Sequence, residues 1–188
     1  MADKDLMKTL KEAHDAFASA RREIIGLAAK AQQASKRAIF AVQRDDDAGA
    51  KALLAEAEEA LESIRRRASK NARLAHEGSY RAALEEYAEA RFVAQLAWKG
   101  AVSAIEGLDE ETQVAGLCDA VGEVVRLMVR SATEGRDDEA RGLKDRLVRL
   151  MEGLDDLDYS GYLRTKYDQA RSHYRKAEDI LYDLSMKR

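Results

Sequence analysis

No proline occurs anywhere in this chain of 188 residues. Proline breaks a helix from within because it lacks a backbone N–H and its ring clashes with the preceding turn. A chain without proline can therefore form long, uninterrupted helices. Charged residues make up 36% of the sequence, and together with its Ala, Leu and Glu content this is typical of long helices. No run of alternating β-branched residues is bounded by turn signals, so a sheet is not expected.

One segment, residues 84–104, begins with carboxylates and then becomes almost wholly apolar. Over residues 92–104 only Gln95, Lys99 and Ser103 interrupt the hydrophobic and small side chains. A helix that is apolar nearly all round belongs in the interior of a bundle. We therefore predict that this segment forms the centre of the fold.

Apolar residues at steps of three and four predict an all-α fold, an antiparallel bundle of six to seven helices with a long first helix. The first helix would cover about residues 4–44, and five more would cover about 48–76, 79–107, 111–134, 137–152 and 160–186. Ser79 and either Asp109 or Thr112 can serve as N-caps. In the last helix, Leu181 and Leu184 are expected on the inner face. A first helix of roughly 40 residues would be about 60 Å long, so part of it should pack against another chain.

Composition also bounds the cellular setting. The single Cys118 excludes an intramolecular disulfide framework and fits a reducing compartment. No apolar run is long enough to span a bilayer, and the polar N-terminus lacks the apolar core of a signal peptide. A formal net charge of −3 does not by itself indicate nucleic-acid binding. We expect a cytoplasmic protein without membrane partners that forms one domain, residues 1–188.

Two pairs of acids stand at helical spacing. Glu86 and Glu89 are three residues apart, and Asp119 and Glu123, on the next predicted helix, are four apart, so each pair projects from one helix face. Carboxylate oxygens are the ligands that Mg²⁺ takes in proteins. A metal held there could lower the pKa of a bound water and neutralise charge on a phosphodiester. Such spacing is common in a highly charged chain, however, and Glu123 could simply pair with Arg126.

Cations are concentrated in the first two predicted helices. They can form a surface that faces phosphates, or they can be solvated charge. The helix macrodipole explains part of the basic run at the end of the second helix. The candidates for binding an anionic partner are Arg21, Arg22, Lys36, Arg37, Arg65, Arg66, Arg67, Lys70 and Arg73.

Other site chemistries fit the sequence poorly. None of the three histidines follows a glutamate by three residues, which a di-iron carboxylate bundle requires. No glycine-rich loop follows a strand, so a P-loop or dinucleotide site is excluded. Cys118 has no histidine near it in sequence and is expected to be a core thiol.

Four segments, in the same order along the chain, resemble members of the translin family. Residues 35–40 (SKRAIF) and 86–90 (EYAEA) are similar to the family's segments SKRxIF and EYVEA. Residues 116–123 (GLCDAVGE) are similar to GxxDLTGE, and residues 176–185 (KAEDILYDLS) match the family's C-terminal segment. The likeness extends from about residue 21 to the end.

The resemblance implies an all-helical bundle that assembles into a hollow octamer and contains a Mg²⁺-dependent endoribonuclease. The family's catalytic and metal-binding acids would correspond to Glu86, Glu89, Asp119 and Glu123, and inner basic residues would hold RNA. The chain combines nuclease-like acids with shell-like end segments, so we expect a homo-oligomer whose subunits are both shell and Mg²⁺- or Mn²⁺-dependent nuclease. The alternatives are a shell that binds RNA or single-stranded DNA without cutting it, and a purely structural bundle.

Overall fold

The computed structural model describes residues 2–186, which form seven helices and no strand. No helix in this part of the chain combines the length and the apolarity needed to cross a membrane. The side chains of Leu181 and Leu184 lie outside the described part. The predicted all-α class is confirmed, and so is the long first helix. The helices are α1 (Ala2–Val42), α2 (Asp47–Ala68), α3 (Ala72–Ala75), α4 (Gly78–Lys99), α5 (Glu110–Thr133), α6 (Asp137–Asp155) and α7 (Gly161–Met186).

The α4 helix lies at the centre of the bundle, as its apolar sequence predicts. It packs against α1 and α2 on one side and against α5 on the other. Tyr80, Phe92 and Leu96 are all buried, which places both ends of the helix in the core. The α5 helix connects α4 to the last two helices, because it packs against α6 and α7 as well as against α4.

The predicted second helix, residues 48–76, is wrong at its C-terminal end. The α2 helix ends at Ala68, and a separate turn of helix, α3, follows. The backbone amides of Lys70 and Asn71 bond to carbonyls three residues back, which tightens and ends the helix. The Asn71 side chain then accepts a hydrogen bond from the Arg73 amide and so caps α3. A capping asparagine inside a basic run therefore overrides the helical periodicity.

Both ends predicted for the third helix also differ from the structure. The α4 helix begins at Gly78, so Ser79 lies inside it instead of capping it, and its hydroxyl is buried without a partner among the described residues. It ends at Lys99, because Gly100 adopts a left-handed φ of 72°, a common helix stop. The Asp109 cap is confirmed, since its carboxylate accepts a hydrogen bond from the Thr112 amide at 2.7 Å.

The N-terminal part of α1 extends beyond the bundle. Leu6 and Leu10 are 57% and 53% exposed, and the fully buried face begins only at Ile24. This agrees with the expectation that α1 is longer than one domain covers. Its packing against another chain stays a prediction.

The α4 and α5 helices approach each other very closely at Gly116. A Cβ atom added there would lie 2.5 Å from the Ala88 Cβ and 2.9 Å from the Glu89 amide nitrogen. Neither distance is compatible with a real side chain, so the two backbones touch through small residues. This contact sets the spacing between the two acid pairs, because Glu89 follows Ala88 and Asp119 lies one turn after Gly116.

We predict that Gly116→Ala lowers the free energy of unfolding by about 1–3 kcal/mol, because the new methyl group must push α5 away from the α4 backbone. Gly142→Ala is the matched control, since a Cβ at that α6 position meets nothing within 4 Å. It should instead stabilise the protein by about 0.5–1 kcal/mol through helix propensity. Urea unfolding measures both changes. Equal stability of the two variants would contradict the close contact.

Candidate metal centre

The two helices bring the predicted acids together at one place. Glu89, Asp119 and Glu123 line a single cavity of about 170 Å³. Glu86 lies one turn before Glu89 and is electrostatically coupled to Asp119 across the helix contact. The cavity also contains His173 of α7. Four carboxyl groups from two helices thus meet at the α4–α5 contact.

Glu89 is the most perturbed of the four carboxyl groups. Burial raises its pKa to about 8, and the negative charges of Asp119, Glu86 and Glu123 act in the same direction. No hydrogen bond or ion pair from the described residues reaches its carboxyl group. A buried carboxylate without a partner is costly, so in the metal-free protein Glu89 favours its protonated form at neutral pH.

A lysine accompanies one acid of each pair. Lys36 of α1 places its Nζ 3.7 Å from the Glu86 Oε2, and Lys166 of α7 donates a hydrogen bond to Asp119. Burial still raises the pKa of both acids, even though the two lysines act to lower it. Burial acts to lower the pKa of Lys166. The hydrogen bond to Asp119 and the negative charge of Asp119 act in the opposite direction, and the pKa of Lys166 is raised on balance.

Glu123 is held by two donors on opposite sides. The Gln43 amide nitrogen donates to its Oε2 at 2.6 Å, and an Arg126 guanidinium nitrogen donates to its Oε1 at 2.7 Å. The Arg126 pair is the i,i+3 contact that the sequence allows as an alternative to a metal site. The second donor, Gln43, comes from the turn directly after α1.

The carboxylates are neighbours but do not form a coordination sphere. Within residues 2–186, no three His, Cys, Asp or Glu side chains converge closely enough to hold a metal ion. The donors nevertheless fit a hard divalent cation, because all four are carboxylates and negative charge predominates around the unpartnered Glu89. The lysines, Gln43 and Arg126 occupy oxygens that such an ion would need.

Several residues around the acids could not be found from sequence spacing. Gln43, Lys166 and His173 lie far from both acid pairs in the chain, and Glu85 lies just outside the motif of residues 86–90. Only the packing of α1 on α4 and of α7 on α5 brings them near. The motif from residues 86 to 90 draws attention to this part of α4, but it gives no sign that Glu85 contacts α7.

Cys118 agrees with its prediction as a core thiol. It is 1% exposed, and burial raises its pKa to about 12. A thiol that resists ionisation is a poor nucleophile. Cys118 therefore contributes shape to the cavity wall and no covalent chemistry.

Most of the predicted cations already have partners within the chain. The Arg21 Nε lies 2.6 Å from a Glu77 oxygen and the Arg67 Nε lies 3.2 Å from a Glu23 oxygen. Arg65 and Arg66 both pair with Glu62, and Arg73 lies over the Phe17 ring. Within the basic run, Arg67 and Arg73 therefore link α2 and α3 to α1, whereas Arg65 and Arg66 pair within α2.

Three of the predicted cations are exposed without a partner for their side chains in residues 2–186, and these are Arg22, Arg37 and Lys70. Arg37 directly follows Lys36, whose ammonium group lies beside the acid cluster. The nine cations thus divide into six with a partner in the chain and three without one among the described residues.

Comparison with known proteins agrees with this architecture. The overall fold of this chain resembles the crystal structure of apo-NeC3PO. The TM-score is 0.84 at 20% sequence identity, and the match covers 94% of this chain and 95% of that chain. The fold also resembles the structure of an AfC3PO–duplex RNA complex, with a TM-score of 0.83, 20% identity and coverage of 100% and 98%. Curated protein sequences give no significant match. The sequence profile of the translin family matches residues 19–188. The chain therefore belongs to the translin family.

Proposed function

We propose that this protein is a Mg²⁺- or Mn²⁺-dependent endoribonuclease that cuts RNA phosphodiester bonds inside a hollow homo-oligomer, an octamer. The observation that carries the proposal is Glu89, a partly buried carboxyl group that no hydrogen bond or ion pair within residues 2–186 reaches, surrounded by three further acids beside a cavity. Membership of the translin family supports it. So does the fold shared with AfC3PO, a protein whose structure was determined with duplex RNA.

In this proposal Glu86, Glu89, Asp119 and Glu123 bind the metal ion and position a water molecule. A bound divalent ion would lower the pKa of that water and offset charge on the phosphodiester. If one of these four carboxylates is not used as a ligand, it could orient that water and accept its proton. Arg126 lines the same cavity and is exposed, so it can leave Glu123 and stabilise charge on the phosphoryl oxygens.

RNA would be held by cations that packing leaves available. Arg22, Arg37 and Lys70 are the strongest candidates, because no carboxylate in the described chain neutralises them. Their contacts would be to phosphates, which gives affinity without sequence selectivity. The partly paired Arg21, Arg65, Arg66, Arg67 and Arg73 could exchange a carboxylate for a phosphate at a smaller net gain.

A second candidate function is a shell that binds RNA or single-stranded DNA without cutting it. It is favoured by the fact that no three acids converge as metal ligands among the described residues. Binding by such a shell would be salt-sensitive and independent of divalent ions. EDTA separates the two functions, because it should abolish cleavage and leave binding intact.

The first prediction of this proposal concerns cleavage. Glu89→Gln and Asp119→Asn should each lower the rate of Mg²⁺-dependent cleavage of labelled RNA by roughly 10²-fold or more, because each removes a charge that binds metal and positions water. Glu110→Gln is the matched control, since Glu110 is an exposed acid at the other end of α5. Cleavage by the Glu89 variant at the control rate would refute the site.

A second prediction follows from the raised pKa of Glu89. In the unfolded chain this carboxyl group titrates near 4.5, but in the folded protein its pKa is about 8. The folded state therefore binds the proton more tightly, and the contribution of Glu89 to the free energy of unfolding falls as pH rises from about 4.5 to about 8. In EDTA, Glu89→Gln should be more stable than wild type near pH 8.5, by at most about 4 kcal/mol, and equally stable near pH 4.5. Thermal unfolding across pH gives the test, and parallel profiles would contradict the assignment.

A third prediction concerns the RNA surface. The double variant Arg22→Ala, Arg37→Ala should weaken RNA binding. The slope of log Kd against log salt concentration should fall in magnitude by about one to two, because each arginine that contacts a phosphate adds roughly one to it. The control is Arg164→Ala, since Arg164 lies on α7, is not among the candidate cations and is paired with Asp168. Fluorescence anisotropy in EDTA measures binding without cleavage. An unchanged salt slope in the double variant would exclude these residues from the RNA surface.

A further inference from the structure

Lys166 is the residue of α7 that contacts the acid cluster most directly. Its ammonium group donates a hydrogen bond to the Asp119 Oδ2, and its side chain is only 18% exposed. It also lies close enough to Glu86 and Glu89 for its charge to act on both. A cation supplied by the chain itself thus lies among the acids that are proposed to bind metal.

This ammonium group and a divalent ion would compete for the same place. Lys166 occupies an Asp119 oxygen that a metal ion would need as a ligand. Two positive ions a few ångströms apart in a partly buried site repel each other strongly. A divalent ion can therefore bind fully only if the ammonium group moves away from Asp119.

A second carboxylate lies within reach of the same ammonium group. The Lys166 Nζ is 3.9 Å from the Glu85 Oε2, and the Glu85 side chain is only 13% exposed. The Tyr162 hydroxyl donates to this same Glu85 oxygen, and the Arg81 Nε lies 3.3 Å from the other one. Glu85 is thus held in place beside the cluster. The flexible lysine stem can swing to it without any backbone movement.

We propose that Lys166 is an exchangeable counter-ion, which neutralises Asp119 in the metal-free protein and moves to Glu85 when a divalent cation binds. The inference rests on the proposed metal site and adds a mechanism to it. The exchange keeps the buried ammonium paired in both states, so neither state contains an isolated buried charge. It also raises the concentration of metal that is needed to occupy the site.

The first arm of the experiment removes the competing charge. Mn²⁺ alone is titrated into the full-length protein at neutral pH, and binding is followed by calorimetry and by the loss of the free Mn²⁺ EPR signal. Lys166→Met should bind Mn²⁺ at least about tenfold more tightly than wild type. Lys166→Arg keeps the positive charge and should bind no more tightly than wild type. Lys144→Met is the matched control, because Lys144 is a similarly buried lysine, 17% exposed, that pairs with Glu178.

The second arm removes the place to which the ammonium group moves. Glu85→Gln keeps the shape of the side chain but leaves Lys166 with Asp119 as its main partner. This variant should bind Mn²⁺ several-fold more weakly than wild type. The two variants must therefore change affinity in opposite directions, whereas simple loosening of the site would weaken binding in both. If the Lys166 variant does not fold, the Mn²⁺ affinity of Glu85→Gln still tests the proposal.

Glu89→Gln separates the failure of this inference from the failure of the metal site. If Glu89→Gln abolishes Mn²⁺ binding while Lys166→Met binds no more tightly than wild type, the counter-ion exchange is refuted and the metal site stands. Tighter binding in Glu85→Gln would refute the exchange in the same way. If no protein in the series binds Mn²⁺ in a manner that depends on Glu89, both the metal site and the exchange are refuted.

Discussion

The contact between Ala88 on α4 and Gly116 on α5 is the interaction on which the site depends. Because neither residue has a long side chain, the two helix backbones approach until only one methyl group separates them. The acids that flank this contact are thereby brought into one electrostatic cluster. With larger residues at this point, the same acids would stand on separate surfaces and act as ordinary solvated charges.

The cost of gathering four carboxyl groups is offset from the two ends of the chain. The α1 helix contributes Lys36, the turn that follows it contributes Gln43, and α7 contributes Lys166, each to a different acid. Glu89, at the middle, receives none of these partners, and burial shifts its pKa far upward. The distribution suits a site that exchanges internal cations for an external one, because Lys36, Lys166 and Arg126 are long, flexible side chains.

Sequence patterns correctly predicted much of this architecture. The apolar segment of α4 lies in the core, Asp109 caps α5, and the helical spacing of the acid pairs places each pair on one face. The errors lie where one side chain overrides periodicity. Asn71 ends the second helix early, and Glu77, whose carboxylate is engaged by Arg21, precedes α4 in place of a capping Ser79. The basic run of α2 is another case, since its charges suggest an anionic partner but its three arginines, Arg65, Arg66 and Arg67, pair with Glu62 or Glu23.

The sequence by itself determined the all-α class, the central helix and the two acid pairs, because these depend on contacts three or four residues apart. It also carried the motifs that identify the translin family. Only the tertiary structure decided that the two pairs meet, that Glu89 has no partner among the described residues and that Lys166 stands between Asp119 and Glu85. Those facts depend on the distance between helices and on side chains up to 80 residues apart, such as Gln43 and Glu123. Helical periodicity shows which residues of one helix share a face, but it does not show which face of a distant helix will pack against them.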